Sequence, residues 1–247
     1  MRIKAFSVMA GAVAMLAFAF PGEALALNDH TPEWDKVWMH LLIDVGVIGA
    51  IFLVVSIYFL LSYTRKSEGE VGKLKQMSFG NSLAWALIPA FIFMADDFYL
   101  AAQGWNLWNS QRRVPEGAYE IQVTGRMWGW DFAYPNGAMS SSDVEYDETG
   151  LVTGIDGDGL VVAQGTPVVL RMSSADVVHS FFIPDFRIKE DLMPGRITYL
   201  WFNPKDAGEH VYTCTEFCGL DHSRMYGKVK ILPQPEFDAW LASKSEE

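Results

Sequence analysis

From Val45 to Leu61 no residue carries a charge, and the longer apolar stretch from Val37 to Tyr63 is interrupted only by His40 and Asp44 near its start. Backbone polar groups find no water inside a bilayer, so a segment of this kind crosses it as a helix. About 20 residues rising about 1.5 Å each span the roughly 30 Å hydrocarbon core. A second apolar segment begins at Phe79, runs to about Met94 and extends toward Leu100 past Asp96 and Asp97, which are expected at the outer interface. Together the two segments predict a transmembrane hairpin with helices over about 37–63 and 79–101. His40 and Asp44 are expected to hydrogen-bond near the outer helix end, and Pro89 marks a kink or a packing point.

The direction of the hairpin follows from charge. Its connecting segment carries Arg65, Lys66, Lys73 and Lys75 against Glu68 and Glu70, a basic excess that belongs on the cytoplasmic side. Independently, the basic head Met1–Lys4, the apolar stretch Ala5–Phe20 and the small-x-small triplet Ala24-Leu25-Ala26 predict a signal peptide over 1–26. Both arguments put the region after the N-terminal segment 27–108, which holds the hairpin, on the same side: a two-pass protein of a bacterial-type inner membrane, with both ends on the outer, periplasmic side. The formal net charge of −11 does not suit a nucleic-acid partner.

Beyond Trp108 short stretches alternate with turn signals, which reads as an all-β domain over 109–233. Expected strands are Tyr119–Thr124, Met127–Tyr134, Leu160–Ala163, Pro167–Met172, Val177–Ile183, Ile197–Phe202, Glu209–Tyr212 and Tyr226–Leu232. That spacing predicts a Greek-key sandwich or barrel. The acidic, turn-rich 140–159 is expected as a loop or mobile hairpin, and a short helix near 235–243 is expected to pack outside the β domain, within a C-terminal helix and tail over 234–247.

One segment concentrates the chemistry. Cys214-Thr-Glu216-Phe-Cys218-Gly-Leu-Asp-His222-Ser-Arg-Met225 holds both cysteines of the chain among five side chains able to bind metal. Thiolate, imidazole and thioether favour copper, zinc or iron over magnesium or calcium. A disulfide would close a very small loop, return little stability, and leave His222 and Met225 unexplained. Structural zinc tends to use a cysteine knuckle followed by a histidine knuckle, and the order here differs. A single-copper electron-transfer site needs two His, one Cys and a weak axial Met, which His179, one cysteine, His222 and Met225 would supply. The cysteine left over is accommodated if two coppers share two bridging thiolates. Copper uses the most donors; on the residues alone the disulfide and zinc readings stay open.

The segment resembles the dinuclear copper loop of subunit II of cytochrome c oxidase, C-x-E-x-C-x-x-x-H-x-x-M, with every position filled. Upstream, Asp176-Val-Val-His179-Ser-Phe-Phe-Ile-Pro184, Lys189-Glu-Asp191 and Pro194-Gly195-Arg196 are similar to the same family's D-V-x-H-S-x-x-x-P and K-x-D-x-x-P-G-R segments. The resemblance implies a membrane-anchored, cupredoxin-like Greek-key β-barrel that takes electrons from a cytochrome c and passes them to haem in subunit I of a haem-copper oxidase, where oxygen is reduced to water. It implies two copper ions held by His179, Cys214, Glu216 through its carbonyl, Cys218, His222 and Met225. It also implies a magnesium shared with subunit I through the Glu216 carboxylate. Trp128-Gly129-Trp130-Asp131-Phe132-Ala-Tyr134 is similar to the family's aromatic run, whose first tryptophan admits electrons; Trp128 takes that position, although the same alternation also fills a sheet core.

An acidic outer domain suits a basic soluble donor, and Asp176, Asp185, Glu190, Asp191 and Asp221 are candidates for its docking patch. Ser82 stands three residues before Trp85 where many relatives carry a glutamate at a proton path, so proton uptake through this chain is not implied. No C-x-x-C-H haem attachment motif occurs, which makes the donor a separate protein. A copper-containing subunit of a nitric oxide reductase in the same superfamily, or a membrane-anchored copper chaperone, are the alternative functions. His30 and His210 match no motif position and are assigned no chemistry.

Overall fold

The computed structural model describes residues 30–72 and 76–245. The expected signal peptide over 1–26 lies outside the described residues, as do Lys73 and Lys75. The chain divides into two compact units, one of which holds Asp35–Asn106 and the other everything from Leu107 onward together with Trp34 and the residues just before it.

Two helices build the first unit. Helix α1 covers Thr31–Ser62 and α2 covers Phe79–Arg112, continuing through Pro89. Both exceed the predicted spans, α1 by six residues at its start and α2 by eleven at its end. Hydropathy marks only the part that fits lipid, whereas backbone hydrogen bonding carries the helix on through polar residues. Within the unit, apolar side chains point outward: Phe52 is 73% exposed and Leu60 70%. No protein surface among the described residues covers them, which is the condition of a lipid-facing helix. The helices are joined at His40, whose Nε2 lies 3.0 Å from Asp96 Oδ1 and 3.1 Å from Asp44 Oδ2.

The second unit is a two-sheet β-sandwich. In chain order its strands are β1 (Tyr119–Arg126), β2 (Gly129–Ala133), β3 (Met139–Tyr146), β4 (Val152–Asp156), β5 (Leu160–Ala163), β6 (Val168–Ser174), β7 (His179–Ile183), β8 (Ile188–Leu192), β9 (Thr198–Phe202), β10 (Gly208–Cys214) and β11 (Tyr226–Leu232). One sheet runs β4-β3-β2-β1-β6-β9 and the other β5-β11-β10-β7-β8. Each sheet contains one parallel pair, β1 with β6 and β5 with β11; the other pairs are antiparallel.

Three strands depart from the sequence reading. Segment 140–159, expected as a loop or mobile hairpin, forms the ordered pair β3–β4, with Val144 opposite Ile155. Its Ser-rich, acidic composition obscured a strand whose inward positions are few. Strand β8 holds the Lys189-Glu-Asp191 segment; Ile188 and Leu192 face inward, and Glu190 occupies the inward position between them. A charge there breaks the apolar alternation, and Arg112 Nη2 pairs with it at 2.7 Å.

Aromatic residues fill the space between the sheets. Trp130, Phe132, Phe181 and Tyr212 are fully buried, with Trp130 edge-on to Phe181 at 5.0 Å. The Tyr134 hydroxyl donates to Val161 O and accepts from Val161 N, both at 2.9 Å, and so bridges β2 to β5 across the sandwich; burial raises its pKa well above the ordinary tyrosine value. Helix α3 (Gln234–Lys244) seats Phe237 on the outside of this core, and Trp240 packs on Tyr134 at 5.1 Å. Asp158 accepts from Trp240 Nε1 at 3.3 Å and pairs with Lys230 at 3.1 Å and Lys244 at 3.5 Å.

Two outcomes follow. A Cβ at Gly227 would overlap the buried Tyr212 hydroxyl oxygen, so Gly227→Ala should destabilise the domain by about 1–3 kcal/mol of overpacking, read as a lower midpoint in thermal unfolding. At Asp158 burial raises the carboxyl pKa, but the bonds from Lys230 and Trp240 and the Lys244 charge outweigh it and hold it below the ordinary value. A depressed folded pKa gives stability that is present above the unfolded pKa of about 4 and disappears as pH falls through the folded value. Asp158→Asn should therefore lower stability at neutral pH, with the gap to wild type closing below about pH 4 in a pH series of denaturant melts.

Candidate metal centre

Strand pairing brings the distant ligands together. Cys214 ends β10 opposite Phe181 of β7, and alternation along β7 puts His179 on the same inward face as Phe181. On its other side β10 pairs with β11, Thr213 opposite Tyr226, and Cys214 N donates to Met225 O at 2.9 Å. The loop from Cys214 to Met225 is thereby closed at its base, and Thr215 N adds a bond to Ser180 O at 3.0 Å.

Inside that loop both cysteines are unpaired thiols, which removes the disulfide reading. Their sulfur atoms stand 3.8 Å apart. Two thiolates each about 2.3 Å from one tetrahedral ion are separated by about 3.8 Å, so the spacing suits shared metal. His179 Nδ1 lies 3.9 Å from Cys214 Sγ and His222 Nδ1 3.5 Å from Cys218 Sγ. Met225 Sδ is 3.7 Å from Cys218 Sγ, and the Glu216 carbonyl oxygen is 3.2 Å from Cys214 Sγ, while the Glu216 side chain is exposed. The six predicted donors thus converge in two sets, one around each sulfur, and the soft donor set with one imidazole per thiol fits copper. His179 is wholly buried, and Cys214, Cys218 and Met225 are at most 6% exposed.

Electrostatics favour one thiolate first. Burial raises the Cys214 pKa, but hydrogen bonds from His179 and from backbone at Ser180 and Glu216 outweigh it and bring the thiol down to about 7. Burial, together with the neighbouring Cys214 charge, pushes Cys218 up to about 12. A bound cation removes that second penalty, because metal displaces the proton of a ligating thiol.

Asp176 organises the surroundings. Its Oδ1 lies 2.8 Å from His179 Nε2 and accepts from Val177 N at 2.7 Å, and its Oδ2 accepts from Met127 N at 2.7 Å. With Nε2 held by a carboxylate, Nδ1 is the ring nitrogen that faces Cys214: it donates to the thiolate while it carries a proton, and would offer its lone pair to a bound metal once that proton is displaced. Met127 precedes Trp128, so one carboxylate fixes both a ligand and the aromatic run. The Trp128 indole is half-buried and rests on the loop itself: a Cβ at Gly219, whose φ is +123°, would lie 3.2 Å from Trp128 Cζ2 and Nε1. Gly125 gives similar clearance to the His179 ring, where a Cβ would approach Cδ2 to 3.2 Å.

The sequence reading missed both glycines as parts of the site. The signal for Gly125 was present, since an isolated glycine inside a strand marks close approach. For the docking acids the structure requires a correction. Asp221 is 5% exposed and accepts from Tyr146 and Arg224, so it is no surface charge. Asp176 is committed to His179 and two backbone amides, and Glu190 to Arg112. Of the five, Asp185 and Asp191 stand exposed, the former paired with His210 at 2.7 Å.

The chain is similar to known proteins over its β domain. The family model for the periplasmic domain of cytochrome c oxidase subunit II matches residues 119–231. The alternative cytochrome c oxidase subunit 2 of Bradyrhizobium diazoefficiens is 32% identical over 157 residues, covering 58% of this chain and 57% of that protein. Cytochrome c oxidase subunit 2 of Cereibacter sphaeroides is 28% identical over 221 residues, covering 79% and 71%. Among solved structures, the periplasmic domain of subunit II of cytochrome oxidase of Bradyrhizobium japonicum aligns with a TM-score of 0.49 at 30% identity, over 54% of this chain and 98% of that one. The chain spans a little over half the length of the Bradyrhizobium diazoefficiens relative.

The Asp176 contact yields a direct test. Asp176→Asn should weaken retention of copper by about 10- to 100-fold, measured by competition with a chelator, while the sandwich stays folded by circular dichroism.

Proposed function

The chain belongs to the cytochrome c oxidase subunit II family, and from that premise we propose that it is the electron-accepting subunit of a haem-copper terminal oxidase. On this reading the helical hairpin holds it in a bacterial inner membrane with the β domain on the periplasmic side. The observation that carries the proposal is the pair of reduced sulfur atoms 3.8 Å apart, each with an imidazole nitrogen within 3.9 Å, in a nearly solvent-free site.

His179, Cys214, Cys218, His222 and Met225, with the Glu216 carbonyl, would hold two copper ions. Bound copper supplies a one-electron acceptor and donor. The protein's part is to hold six donors in place as the charge on the metal changes. His179 is held by Asp176 and by its strand; Cys214 is held at the end of β10 by the bond from its backbone amide to Met225. Phe181 and Tyr212, both fully buried, keep water from the inner side. Trp128, packed on Gly219 of the ligand loop, is the group against which a cytochrome c donor would place its haem edge. Bound copper would then serve as the donor to haem in subunit I, where oxygen would be reduced to water. Exposure of the Glu216 side chain leaves it available to a magnesium ion at the border with that subunit.

Stopped-flow mixing of the copper-loaded full chain with a reduced c-type cytochrome tests this. The cytochrome should be oxidised rapidly by the loaded chain and not by the metal-free chain. Trp128→Ala should slow the reaction severalfold with copper content unchanged. No oxidation by the loaded wild type would end the proposal, and an unaltered rate for Trp128→Ala would move electron uptake elsewhere on the surface.

A further inference from the structure

The two imidazoles of the centre are held differently. His179 sits in a strand, and its outer ring nitrogen is fixed by Asp176 at 2.8 Å. His222 opens a short 3₁₀ turn, His222–Arg224, and its Nε2 meets no hydrogen-bonding partner among the described residues. Backbone support for that turn is thin: His222 N to Gly219 O and Met225 N to His222 O are both 3.3 Å, against 2.9 Å for Arg224 N to Asp221 O. Besides the Cys218 sulfur the ring meets Phe217, itself 77% exposed, at 5.8 Å, so no carboxylate or backbone group among the described residues fixes it directly.

Asp221, immediately before it, is a carboxylate buried to 5% exposure. Burying a charge costs several kcal/mol unless its oxygens are satisfied, and here both are. Tyr146 donates its hydroxyl to Oδ2 at 2.7 Å, and Arg224 Nη1 donates to Oδ1 at 3.1 Å. Arg224 belongs to the same turn and moves with it. Tyr146 comes from the end of β3, in the opposite sheet; it is 45% exposed, and what ties it down is its strand backbone, paired with Val152 of β4. The register between β3 and β4 shifts at Glu145/Tyr146, a bulge of the kind that re-aims a side chain. Beyond it Asp147 Oδ1 accepts from Thr149 N at 2.8 Å and Leu151 N at 2.9 Å, which fixes the tip of the hairpin.

We propose that Tyr146, acting through the buried Asp221 carboxylate, is a positioning residue for the ligand His222, so that the β3–β4 hairpin serves as the outer brace of the metal loop. The inference rests on the copper reading for its consequence, and on geometry alone for the placement of the ring. It gives a function to a hairpin that otherwise adds only two strands at the edge of the six-stranded sheet. The two ligand histidines then share one logic, a carboxylate as orienting partner, applied to the ring in one case and to the adjoining backbone in the other.

The test uses the full chain in detergent as wild type, Tyr146→Phe and Asp221→Asn. In metal-free protein, imidazole NMR should show the His222 ring signals displaced or broadened in both variants, with those of His210 unchanged and the unfolding midpoint close to wild type. After copper loading, loss of copper to a chelator should be about tenfold faster or more, the worth of one hydrogen bond to a charged group, and the paramagnetic spectrum should change shape. His222 signals and copper release both indistinguishable from wild type in Tyr146→Phe would overturn the proposal. A wild type that takes up no copper would instead remove the copper reading, and the metal-free NMR comparison would still decide whether Tyr146 positions His222.

Discussion

The pairing of β10 with β7 on one side and β11 on the other is the constraint on which the centre depends. It sets Cys214 against Phe181, and therefore beside His179, a residue thirty-five positions away in the chain. It also sets Thr213 against Tyr226, which closes the ligand loop into a compact hairpin end. The entropy of bringing these donors together is met by folding the sandwich and not by binding the metal. Donors held this way would change little if the charge at the centre changed, which suits the proposed electron-transfer role.

Around that constraint the polar groups form a second layer that is short of free charge. Asp176 is drawn inward onto His179, Asp221 is buried next to His222 on Tyr146 and Arg224, and Glu190 is tied to Arg112 at the end of α2. Acids that look in sequence like a docking surface are largely structural. On the loop itself Phe217, 77% exposed, and Leu220, 86% exposed, stand beside the exposed side chains of Glu216 and Arg224, so its outer surface is mixed apolar and charged.

Much of this was legible in the sequence because it rests on local signals. An uncharged run long enough for a bilayer, alternating strand positions from Tyr119 to Leu232, and a dense donor set from Cys214 to Met225 all announce themselves within a window of a few residues. What was not legible depends on distant partners. The inward Glu190 reads as a break in a strand until Arg112 is beside it. Asp221 reads as surface charge until Tyr146 is seen to reach it across the two sheets. The helix ends ran past their predicted limits because hydropathy reports lipid contact and says nothing about where hydrogen bonding stops. Gly125 and Gly219 matter for the side chains they make room for, and nothing in the sequence places those side chains opposite them.

The central claim is that two thiolates, 3.8 Å apart in the protein, are shared by two copper ions. Electron paramagnetic resonance of the oxidised, copper-loaded chain tests it most directly. The account predicts one unpaired electron spread equally over two copper nuclei, with hyperfine structure from both, and collapse of that pattern in Cys218→Ser. A signal from a single copper nucleus in the wild type, at full loading, would contradict it.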